Sequence, residues 1–162
     1  MEFNPKIRFF NFIRGLQNEI CKALEAFEPE AKFIEDRWER QAGGGGWSRV
    51  LKGSAFEKAG VNVSEVHGPV PEVLKGTIPK SAIEFYATGI SLVIHPVNPM
   101  VPTTHANFRY FEVTDKNGGI VDQWFGGGAD LTPYYLFPED AAHFHQTLKQ
   151  ACDNHHQDFY QE

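Results

Sequence analysis

Cysteine is nearly absent, with two residues, Cys21 and Cys152, in a chain of 162. Neither belongs to a Cys-x-x-Cys pair and both fall in helix-like stretches, which excludes a disulfide framework and favours a reducing compartment. Long apolar runs are missing too. The first candidate, Phe9 to Ile13, is interrupted by Asn11 and closed by Arg14, too short and too polar for a signal peptide or a transmembrane span. The expected location is the cytoplasm. No Lys/Arg run stands out and the formal net charge is −6, so a nucleic-acid partner is set aside. An acidic chain can bind an anion only through a few local cations, which makes single arginines worth following. Internal repeats and low-complexity linkers are also lacking.

What is present is a core. Hydrophobic residues make up 41% of the chain and aromatics 14%, with fourteen Phe, which excludes a disordered chain and fits one compact domain over 1–162. Asn4-Pro5 reads as an N-cap with Pro at the first helical position. Ile13, Leu16, Ile20, Leu24 and Phe27 then recur at helical spacing, and Pro29 stops the helix. Short strands are expected at Phe33–Arg40, Trp47–Lys52 and Val61–Val66, with stronger ones at Glu84–His95, Thr103–Val113 and Ile120–Phe125. Lys116-Asn117-Gly118-Gly119 reads as a hairpin turn. The run Gly43 to Gly46, with no Lys-Ser/Thr after it, is no phosphate loop and reads as a plain turn. Pro138-Glu139-Asp140 opens a last helix whose apolar side holds Phe144, Leu148 and Cys152. The order predicts an α+β fold, a largely antiparallel sheet flanked by helices.

Strand alternation places His105, Asn107 and Arg109 on one face and Ala106, Phe108 and Tyr110 on the other. A base, an amide and a guanidinium in a row offer a proton acceptor, a neutral donor and a fork for a carboxylate. An exposed face holding three polar groups by chance is the competing reading. Asp130 follows three glycines, and the hairpin register brings it near His105; an Asx-turn before Thr132-Pro133 is its bland alternative. Ser91 lies on the same strand face as His95, four residues before it. His95, His105 and His145 could meet around a divalent metal. No short metal motif supports that site, so ordinary hydrogen-bonded histidines are preferred.

The motifs together resemble a known family. Gly43 to Gly46 with Ser48-Arg49-Val50, Phe56 to Val61, Val66-His67-Gly68, His95-Pro96, Asn98-Pro99, Pro102-Thr103, His105, Asn107 to Phe111, Trp124 to Gly128 and Asp130 to Pro133 follow one another in that order. From about Trp38 onward the chain is similar to the oxygen-dependent coproporphyrinogen III oxidases of haem biosynthesis. The resemblance implies oxidative decarboxylation of two propionates of coproporphyrinogen III to vinyls, giving protoporphyrinogen IX with molecular oxygen as acceptor and no organic cofactor. It also implies His105 as proton donor or base, Arg109 as propionate clamp, Ser91, Asn107 and Phe108 as substrate contacts, and Asp130 as acceptor of pyrrole N–H bonds. Bacterial members are associated with manganese on histidines matching His95, His105 and His145. Gln123 departs from the family pattern, and Ala129 stands at a variable position. A homodimer is expected of the full-length protein. The chain is expected to be the N-terminal part of that protein, inactive or barely active alone. A porphyrin- or anion-binding module without catalysis and a divalent-metal oxygenase on another substrate are the competing functions.

Overall fold

A computed structural model describes residues 4–160. Helix α1 (Pro5–Glu25) begins as expected: the Asn4 side chain accepts the Ile7 N–H at 3.3 Å, and Pro5 occupies the first turn, where no N–H is required. Six strands follow: β1 (Ile34–Glu39), β2 (Gly44–Leu51), β3 (Phe56–Pro69), β4 (Glu84–Pro96), β5 (Thr103–Thr114) and β6 (Ile120–Thr132). Each pairs antiparallel with the next in one sheet of order β1-β2-β3-β4-β5-β6. Helix α2 (Pro138–Asp153) comes last, with Glu139 and Asp140 in its first turn. The α+β class and the antiparallel sheet match the sequence reading.

Three expectations change. The glycine run is not a plain turn. Gly44 to Gly46 belong to β2 and pair with β3, while Gly43 and Gly44 carry the positive φ values of 112° and 86° at which the strand is entered. β6 does not stop at Phe125 but runs through Gly126 to Gly128 and on to Thr132, because β5 offers it a ladder partner at every position. And α1 ends at Glu25, before Pro29 is reached, leaving Phe27 exposed and outside the apolar stripe. The exit is fixed by Glu28, a solvent-inaccessible carboxylate that accepts the Ala55 N–H at 2.6 Å and the Ser54 hydroxyl at 3.1 Å. The Ala55 bond, ahead of the Ser54 one, holds its carboxyl below the usual range.

α1 covers one face of the sheet. Ile13 and Cys21 pack on Val61, Val63 and Ile90, with Leu16, Ile20 and Leu24 around them. Gln17, equally buried, donates its amide to Trp47 O at 2.9 Å and Val61 O at 2.8 Å and so ties the helix to two strands. Further along this face Tyr86 donates to Glu65 and Tyr110 to Glu112, each at 2.7 Å, while Lys6 pairs with Glu112 at 3.0 Å. Among the described residues the opposite face is covered only at one end, where residues 70–82 lay Val70, Leu74 and Ile78 over Phe111 and Val113.

The two buried phenols give a test. Burial first, and then the carboxylate each phenol faces, pushes Tyr86 and Tyr110 far above the usual tyrosine range. Their folded-state values are raised, so the stability they contribute is whole below the unfolded value of about 10 and falls as pH climbs above it. Absorbance titration should show two of the five tyrosines ionising only together with loss of the near-ultraviolet circular dichroism. Five phenols titrating together in the folded chain would contradict this packing.

Candidate active site

The site is built from strand parity. Side chains two apart share a face, and cross-strand partners share it too. The register therefore lines up Ser48, Asn62, Ser91, Asn107 and Gly128 across five strands on the face away from α1. The adjacent row on one side is Gly46, Ser64, Gly89, Arg109 and Gly126. On the other side lie Val50, Gly60, Val93, His105 and Asp130. Small residues keep the floor low, and polar groups stand at its edge.

Asp130 is no Asx-turn residue. It sits in β6 directly opposite His105, and its Oδ1 lies 2.9 Å from the His105 Nδ1. The His105 hydrogen bond holds the Asp130 carboxyl below the usual carboxylate range, with the Thr132 hydroxyl, 3.3 Å away, helping. An ionised carboxylate only accepts, so His105 presents Nδ1–H to it, and in the neutral ring Nε2 is then the acceptor. That Nε2 meets the Nε2 of His95 at 3.2 Å. A carboxylate thus orients a base, and the base is reached from a second imidazole.

Two residues along β5, the Arg109 Nε donates to Asn107 Oδ1 at 2.8 Å. No carboxylate among the described residues pairs with Arg109, so its outer N–H groups are free to fork onto an anion. Ser91 flanks Asn107 on β4. The crevice beneath them, about 470 Å³, is lined also by Trp38, Ser48, Asn62 and Ser64. Sequence reading passed over these four. The signal was there in β3, where Asn62 and Ser64 alternate with the buried Val61 and Val63. Trp38 depends on the glycine run: a Cβ on Gly46 would stand 2.5 Å from its ring.

Two expected residues are not brought to this row. Phe108 has the opposite parity: it pairs with Ile90 and Gly127 and faces the α1 side, partly exposed. His145 lies on α2 with its Nδ1 2.8 Å from the Tyr160 hydroxyl. It shares a crevice of about 310 Å³ with Asp130 but is not gathered with His95 and His105. Among the described residues no group of three or more His, Cys, Asp or Glu is placed to hold a metal ion. Two converging imidazoles fall short of the three-histidine set that the resemblance implies.

Known proteins resemble the chain along nearly its whole length. The family model described as coproporphyrinogen III oxidase matches residues 8–162. An oxygen-dependent coproporphyrinogen-III oxidase of Parasynechococcus marenigrum (strain WH8102) is 52% identical over 151 residues, covering 91% of this chain and 40% of that protein. One from Drosophila melanogaster is 50% identical over 167 residues, covering 97% of this chain and 43% of the relative. The chloroplastic coproporphyrinogen-III oxidase 1 of Arabidopsis thaliana is 48% identical, with 96% and 43% covered. The chain spans about two fifths of the length of these relatives.

The glycine triplet separates packing from clearance. A Cβ on Gly127 would run into the backbone oxygen of Asn107, whereas one on Gly128 meets nothing within 4 Å, and neither has a positive φ. Gly127→Ala should therefore lower unfolding stability by about 1–3 kcal/mol, as overpacking does. Gly128→Ala should leave the urea midpoint within about 0.5 kcal/mol, like an ordinary surface change. Equal losses would mean that Gly128 serves the fold and not the open floor.

Proposed function

Because the chain belongs to the coproporphyrinogen III oxidase family, we propose that it carries the substrate wall and the proton-handling pair of an oxygen-dependent decarboxylation of coproporphyrinogen III. In each turn one propionate becomes a vinyl group. The carboxylate leaves as carbon dioxide, the neighbouring carbon gives up one hydrogen as a proton, and the two electrons released, with that proton and one from solvent, reduce oxygen to hydrogen peroxide. Two turns give protoporphyrinogen IX. The relatives that are oxygen-dependent coproporphyrinogen-III oxidases support the oxygen dependence. The reading needs no organic cofactor.

The observation that carries it is the His105–Asp130 pair standing on the same face as Arg109, which has no carboxylate partner among the described residues. Arg109 forks onto a propionate carboxylate, with Ser91 and Asn107 beside it as hydrogen-bond donors. Asp130 accepts pyrrole N–H bonds and stabilises positive charge as the ring gives up electrons. His105, within hydrogen-bond reach of the same space, takes or returns a proton through Nε2. The reading extends to a cytoplasmic homodimer. Free thiols at Cys21 and Cys152 fit a reducing compartment, and no helix among the described residues is long and apolar enough to cross a membrane. The exposed Phe125, Tyr134 and Leu136 offer surface for more polypeptide.

One observation favours a second reading, a wall that binds porphyrin without turning it over: the Asp130 and His105 side chains are 55% and 38% exposed. A hybrid separates the two. Residues 8–162 would replace the matching part of the Drosophila relative, and oxygen uptake and carbon dioxide release would be followed together. One oxygen consumed per carbon dioxide is expected, with none released anaerobically. Asp130→Asn should slow the hybrid by about 100-fold, the scale of a lost electrostatic stabiliser, at little cost in stability. An unchanged rate removes Asp130 from the mechanism. A hybrid that binds porphyrin and takes up no oxygen leaves binding alone.

A further inference from the structure

Arg40 lies just beyond β1, and its Nη1 donates to His67 O at 3.1 Å. Its guanidinium stands over the Phe85 ring, 5.9 Å from the centroid. Phe85 stacks on Phe111, and Phe111 on Trp124, all with the parity of His105 and Arg109. Arg40 is therefore on the site face, at the aromatic end of the trough. Like Arg109, it is paired with no carboxylate among the described residues. The chain holds this charge in place with a backbone carbonyl and an aromatic ring, both of which leave the outer N–H groups open.

Between the two arginines lie Ser64, Ala87 and Gly89, with Val66 and Phe111 on either side of Ala87 and residues 70–82 packed over Phe111 along this edge. Phe85 precedes Gly89, the partner of Arg109, by four residues. That sets the Phe85 and Arg109 positions roughly 14 Å apart along and across the strands, a span comparable with a tetrapyrrole and its side arms. The substrate has four propionates, of which two react. A site that grips only the reacting arm leaves the macrocycle free to turn.

We propose that Arg40 is a second carboxylate clamp, holding a propionate on the far side of the macrocycle from the one at Arg109 and so fixing which arm faces His105 and Asp130. This rests on the porphyrinogen reading above. A sheet face with one cation at each end suits a ligand carrying carboxylates on opposite sides. A porphyrin whose two carboxylates are adjacent can reach one clamp but not both.

The test uses the chain as it is, with porphyrin fluorescence as the readout. Coproporphyrin III carries four propionates and mesoporphyrin IX two adjacent ones. Arg40→Gln should weaken coproporphyrin binding about tenfold, equivalent to one charge-assisted contact, and mesoporphyrin binding less than twofold. Arg109→Gln should weaken both. Equal losses on the two probes, or none on either, would overturn the clamp. If R40Q does not fold, R40K keeps the charge but loses the fork, and must show the same coproporphyrin-selective loss at about threefold. Wild-type chain that binds neither porphyrin overturns the underlying reading, and the clamp with it. Wild-type binding with an R40Q chain that does not discriminate overturns the clamp alone.

Discussion

A slip of one residue in the pairing of β5 would carry His105, Asn107 and Arg109 through the sheet to the α1 side. Register is thus the constraint beneath every feature of the site, and it is enforced from the other face. Val61, Val63 and Ile90 lie closed under Ile13 and Cys21, and Gln17 reaches between strands to two specific carbonyls. A slip would expose several fully buried side chains, each worth about 1.5–3 kcal/mol, and would strand the Gln17 amide. The helix never touches the polar row, yet it decides which residues compose it.

Both faces carry cations. On the α1 side Lys6 pairs with Glu112 and Arg49 with Glu35, while Arg14 donates to Gln17 and, like Arg37, stands over the Trp47 ring. On the open side, among the described residues, the guanidiniums of Arg40 and Arg109 contact a carbonyl, an amide oxygen and an aromatic ring. In a chain with net charge −6, it is their place on the open trough, without carboxylate partners among the described residues, that supports the proposal of an anionic ligand. Net charge alone says nothing of the kind, because attraction at contact range depends on local charges and not on the total.

Much of this was legible from local pattern. Period-two alternation gave the shared face of His105, Asn107 and Arg109, and the hairpin at Asn117-Gly118 gave the approach of Asp130 to His105. The glycine runs misled because glycine reads locally as a breaker, whereas here ladder partners on the neighbouring strand override propensity. Trp38 was invisible for the same reason: its place on the trough depends on the missing Cβ at Gly46, one strand away. Phe108 followed the motif of its neighbours into the substrate set although its own parity pointed the other way. His145 depended on where α2 lies, and no periodicity within α2 fixes that.

The position of α2 bears on the chemistry as well as on the fold. The binding floor rests on β3, β4 and β5, whose reverse face is the best-packed part of the molecule. Asp130 and His105 lie toward the other end, beside α2, which buries none of its residues fully. Water that reaches a carboxylate screens it, and a charge worth about 1 kcal/mol at 4 Å in water is worth several times that where the effective dielectric is lower. A preorganised ion stabilises a transition state in proportion to how well water is excluded. Arg40, Arg109 and Asp130 are all exposed, so water screens the cations of the trough as well as its carboxylate, and the packing of the reverse face fixes where these groups stand without keeping them dry.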